Sequence, residues 1–174
     1  MKSILIILLG YANFFIAQCY VSVGGYVRCG EKSRNIFLDS TIRRDSLQYF
    51  MLRKINQVRN SINMYSLVLD SSICNAAQRH AEYMAKTGIF EHSSYARSSS
   101  SYENIFRGDY NLAYFDDTEP FETQIINAWL RSLPHNKNLC SYVRKAGTGV
   151  SYVQLDDCTF RIYAVFIGSE FVYK

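Results

Sequence analysis

Two β-rich runs near the C-terminus constrain this chain more than any other feature. "GTGVSYVQL" and "FRIYAVFIG" are dense in β-branched and aromatic residues, and Asp156, Asp157 and Cys158 between them supply a turn. The pair reads as an antiparallel hairpin. Upstream, the apolar residues follow the helical period instead. Leu47, Met51, Ile55, Val58 and Ile62 share one helical face after Asp45, a good N-cap. A second helix is expected after Asp70, with Ile73, Ala77, His80, Ala81 and Met84 on its stripe and Gly88 at its end. A third follows "DDTEP", capped by Asp117 or Thr118, with Pro120 in its first turn and Phe121, Ile125, Ala128 and Trp129 on its buried side. Helices followed by a hairpin give an α+β fold, with helices packed on an antiparallel sheet.

The 174 residues suit one domain with a sizeable core, and the 48% apolar content argues for a globular chain. The start is a separate element. Lys2 precedes "ILIILLGYANFFIA", too short to span a bilayer as a helix but fitting a secretory signal peptide. Gln18 in "IAQC" stands where a lipoprotein box needs a small residue. The expected organisation is a signal peptide over 1–19, an N-terminal extension over 20–43 and a domain over 44–174, secreted and without a membrane span in the mature chain. A net charge of +4 without basic runs speaks against nucleic acid. The chain has no Asn-x-Ser/Thr sequon.

Export changes the meaning of the cysteines. With Cys19 at the cleavage region, Cys29, Cys74, Cys140 and Cys158 form an even set with no CxxC pair, which reads as two structural disulfides. Cys140 and Cys158 flank the β-rich region and are expected to pair, leaving Cys29 for Cys74. Spacing alone does not fix that connectivity.

Of the three histidines, His80 lies on a helical stripe. Its "HAE" lacks the P-C-x-x-C partner of a zinc deaminase, so it reads as structural, with a backbone carbonyl to satisfy its ring. His92 and Glu103 flank a serine-rich stretch read as a loop, and His135 follows Pro134, which is expected to stop the third helix. Two imidazoles and a carboxylate suit a divalent transition metal. They equally suit a polar hydrogen-bonded cluster. Neither HExxH nor GxSxG is present.

Several ordered blocks carry a resemblance over roughly residues 48–168. These are H-A-x-x-M-A-x-x-G from His80 to Gly88, F-x-H-S around His92, E-N-I from Glu103, A-W-x-x-S-x-x-H from Ala128 to His135, and G-x-G-V from Gly147. Together they resemble the CAP superfamily of cysteine-rich secretory proteins, antigen 5 and pathogenesis-related class 1 proteins, in the bacterial-type single-domain pattern. The resemblance implies a three-layer αβα sandwich with a cleft of two histidines and two glutamates. His92, Glu103 and His135 match three of these. Ser132 stands where the second glutamate is expected, and it cannot supply a carboxylate base.

The implied function is binding rather than turnover. His92, His135 and Glu103 would hold Zn²⁺ or Mg²⁺, with no organic cofactor, and the family range adds a sterol, a fatty acid or an extracellular protein as partners. Two alternatives stand beside it: a metal-assisted hydrolase using the same cleft, and a purely structural extracellular module.

Overall fold

The structure, a computed structural model, describes residues 40–95, 101–111 and 120–169, with side chains from Leu47 onward. The expected signal peptide, residues 20–39 with Cys29, and the caps Asp117 and Thr118 lie outside the described residues. Four helices are described: α1 (Ser40–Ser61), α2 (Ser71–Thr87), α3 (Phe121–Arg131) and α4 (Leu133–Leu139). Four strands accompany them: β1 (Val68–Leu69), β2 (Ser101–Asn111), β3 (Lys145–Gln154) and β4 (Thr159–Ser169).

The strands form one sheet in the order β1-β3-β4-β2. β3 and β4 are the antiparallel hairpin expected around Asp156–Cys158, running from Lys145 opposite Ser169 to Gln154 opposite Phe160. β2 is antiparallel to β4, and only the two-residue β1 runs parallel to its neighbour. Alternation along β4 divides its side chains between two cores. Tyr163, Val165 and Ile167 join Ile105 and pack on Ile73, Ala77, Ala81 and Met84 of α2. Ala164 and Phe166 face Met51, Ile55, Ile125, Trp129 and Leu139 of the other three helices. The fold is therefore the three-layer αβα sandwich with a mainly antiparallel sheet.

Local chemistry explains the ends of α2. Asp70 is its N-cap, accepting the N–H groups of Ser72 and Ile73 at 3.0 and 3.2 Å, and Lys145 Nζ donates to its second oxygen at 2.8 Å. Gly88 closes the helix with φ 73°, a left-handed conformation that a Cβ disfavours. Gly147 and Gly149 let β3 lie against this helix. A Cβ at Gly149 would come within 2.3 Å of the Gln78 nitrogen, and one at Gly147 within 2.2 Å of the Cys74 nitrogen.

Several expectations are corrected. Helix α1 begins at Ser40 rather than at Asp45, since no glycine or proline interrupts residues 40–45 and helix propagation is favourable once started. Its buried stripe runs Met51, Ile55, Arg59, while Ile62 is exposed. Arg59 is only 1% exposed and donates to the carbonyls of Tyr65, Leu139 and Ser141 at 2.8–3.0 Å. Pro120 is the N-cap of α3 rather than a first-turn residue, with ψ 141°. The Cys140–Cys158 pair does not form. Cys140 is a thiol whose Sγ donates to Asn136 Oδ1 at 3.3 Å, and Cys74 is a buried thiol, so the expected Cys29–Cys74 pair does not form either; Cys158 is in a disulfide, with neither of these two.

Candidate functional site

The C-terminal half of α2 sets the position of His92. His80 Nε2 donates to the carbonyl of Glu91 at 2.7 Å, which holds the loop one residue before His92. His80 thus has the structural role its place on the stripe suggests. His92 itself is half-exposed, and its Nδ1 lies 2.6 Å from Oε2 of Glu103. The same oxygen accepts the N–H of Ser93 at 3.0 Å. An oxygen that already accepts a backbone amide takes the Nδ1 proton as well, so a neutral His92 ring presents its lone pair on Nε2.

Glu103 is a strand residue, in correction of the loop expected for it. It sits near the start of β2 with a side chain 1% exposed, and its Oε1 is buried without a hydrogen-bond partner among the described residues. The strand escapes a reading by pattern because "SYENIFRGDYN" buries three consecutive residues, Glu103, Asn104 and Ile105, two of them polar. Specific partners override the alternation there.

His135 comes from the opposite layer. Ser132 has extended backbone, with φ −99° and ψ 115°, and separates α3 from α4. Pro134 does not simply stop a helix, as expected; it lies in the first turn of α4, where its missing N–H is not needed. Asn136 N donates to Ser132 O at 2.8 Å, and Asn104 Nδ2 donates to His135 O at 2.9 Å. Burial first, and then the charge of His92, push the proton affinity of His135 below the usual histidine value. The two rings are therefore electrostatic neighbours, although their layers lie on opposite faces of the sheet. Each is held by one of two neighbouring β2 residues, His92 by Glu103 and His135 by Asn104.

Ser132 is half-buried and makes no side-chain capping bond, so its observed contribution is the backbone break that aims α4. Among the described residues no group of three His, Cys, Asp or Glu side chains is arranged to hold a metal ion. Glu103 instead holds and orients His92. Beside His92 an open groove of about 740 Å³ runs between α2, at Ala76, Arg79, His80 and Tyr83, and the loop from Glu91 to Tyr95. His92 is one wall of it. Asn104 and Asn138 were missed as site residues; their only signal was their place inside "ENI" and "HNKN".

The family model of the cysteine-rich secretory protein family, CAP, matches residues 52–167. No curated protein matches the sequence. Among solved structures, the chain is similar to an extracellular protein containing an SCP domain from Bacillus anthracis, with a TM-score of 0.50 and 18% identity over 72% of this chain and 41% of that one. It is also similar to a cysteine-rich secretory protein from Staphylococcus aureus, with a TM-score of 0.51 and 16% identity over 74% and 40% of the two chains. A third is MpPR-1i, with a TM-score of 0.51 and 17% identity over 74% and 90%. The chain spans only 41% and 40% of the two bacterial proteins, and at these identities the likeness is one of fold. No helix among the described residues is long and apolar enough to cross a membrane. With a family model that matches two thirds of its length, the chain belongs to the cysteine-rich secretory protein (CAP) family.

Proposed function

We propose that this CAP domain works outside the cell as a binding module whose His92–His135 cleft takes a divalent transition metal. The observation that carries the reading is the 2.6 Å contact between His92 Nδ1 and Glu103. A metal-binding histidine characteristically gives its other ring nitrogen to a carboxylate, which fixes tautomer and orientation. Glu103 would then be the outer partner of His92, and His92 Nε2 and His135 the ligands. Imidazole nitrogens suit Zn²⁺, whereas Mg²⁺ prefers oxygen ligands, so zinc is the metal of choice. Such an ion would serve as an anchor for an extracellular partner able to complete its coordination.

Two further points support binding over turnover, and a third the setting. Ser132 leaves the cleft without a second carboxylate to act as general base. Proteins of this family are in general non-enzymatic binding modules. An extracellular setting is also the one described for the Bacillus anthracis protein of similar fold.

The test is calorimetric titration of the purified protein with Zn²⁺, beside the His92→Ala/His135→Ala variant and Trp129→Ala. The double variant is expected to stay folded and lose zinc binding. Trp129, 1% exposed, should instead cost about 3–5 kcal/mol of stability when truncated. Unchanged zinc affinity in a folded double variant would place the ligands elsewhere.

A further inference from the structure

Adjacent residues on β2 reach in opposite directions. Glu103 lies with Ile105 on the α2 side of the sheet and grips His92, whereas Asn104 lies with Phe106 on the side of α3 and α4. Asn104 is fully buried, and both ends of its amide are used. Its Nδ2 donates to His135 O at 2.9 Å, and its Oδ1 accepts Asn138 Nδ2 at 2.9 Å. Asn138 Nδ2 also reaches Glu103 O at 3.2 Å, and Trp129 Nε1 donates to Ile105 O at 3.1 Å. These two β2 carbonyls, two residues apart, point the same way from the sheet edge and are capped by side chains of α4 and α3.

We infer that Asn104 and Asn138 are positioning residues that fix His135 relative to His92, making the Glu103–Asn104 dipeptide the common mount of both walls of the cleft. The inference rests on the proposed binding role of the two histidines. α4 is a seven-residue helix, too short to be stable alone, so its placement depends on tertiary contacts. Leu139 supplies the apolar contact, but an apolar contact does not set rotation or register. Directional bonds from a buried amide do, because leaving that amide unmatched is costly. The bond to the His135 backbone positions the residue itself, and the bond to Glu103 O ties α4 to the residue that orients His92.

Asn138 is half-buried and helical; Asn138→Ala removes the bridge and leaves the buried Oδ1 of Asn104 without that partner, so Asn138→Ser serves as a second variant if the first does not fold. The chain has only three histidines, so selective isotope labelling reports each ring, with His80 as an internal control. Loss of the bridge is expected to move the ring resonances of both His135 and His92 and to leave His80 in place. Zinc affinity should fall about tenfold or more, the scale seen when outer-sphere partners are removed. A His92 resonance that does not move, in either folded variant, overturns the inference, as does zinc affinity unchanged within about twofold of the parent protein (against that tenfold scale). If the parent protein binds no zinc, the proposed function fails, and the His92 and His80 resonances alone still decide whether Asn138 positions the cleft.

Discussion

Oε2 of Glu103 joins the imidazole of His92, eleven positions earlier in the chain, to the start of β2 by a 2.6 Å contact. This contact turns a half-exposed loop histidine into an oriented one. Glu103→Ala should therefore act on the ring and on the loop together. Zinc affinity is expected to fall about 10–100-fold, the range for lost outer-sphere partners. Stability should fall by about 1–3 kcal/mol, because the Ser93 N–H loses its acceptor in a buried position. Calorimetry and thermal melts read both, and an unaltered affinity would remove Glu103 from the site.

His135 makes stability depend on pH in a defined direction. Its folded form resists protonation, through burial and then through the charge of His92, while in the unfolded chain it takes a proton near the ordinary value of 6.5. The unfolded state thus binds more protons below that value, so this contribution is complete above pH 6.5 and is lost as pH falls. Denaturant melts between pH 8 and pH 5 should show the decline in the parent protein and a shallower one in His135→Gln, with both ranges taken about the histidine midpoint. Identical slopes would contradict the burial of this ring.

Asp70 works in the acid range. Its bond from Lys145, then that from Ser72, and more weakly the cap bond from Ile73 hold its carboxyl well below the usual 3.8. Stabilisation from this group is present above pH 3.8 and drains away as pH drops toward the lower folded value. Asp70→Ala should cost about 1–2 kcal/mol at neutral pH, the effect of a lost N-cap. A variant as stable as the parent at pH 7 would show that the cap and the Lys145 pair contribute nothing to α2.

The parts legible in the sequence share one property: local chemistry determines them. Asp70 and Gly88 mark α2 because capping and a left-handed residue are local requirements. The β3–β4 hairpin is visible because its apolar residues and turn lie next to one another. Where partners come from far along the chain, the pattern fails. Arg59 looks like a surface residue until the carbonyls of Leu139 and Ser141, eighty positions away and more, wrap its guanidinium. β2 reads as a loop because Glu103 and Asn104 owe their burial to His92, His135 and Asn138. The histidine positions were readable from the family blocks, but not the strand whose Glu103 and Asn104 hold them. Cys140 shows the same limit, since neighbourhood in sequence suggested a bridge to Cys158 that geometry does not make.

The central claim is that histidines from the two outer layers share one binding site at the β2 edge. The most direct measurement is zinc addition to histidine-labelled protein, followed by the three ring resonances. The account predicts that His92 and His135 respond together, in proportion to one zinc bound, while His80 keeps its bond to the Glu91 carbonyl and does not respond. A response of His80, or of only one of the other two rings, would contradict it.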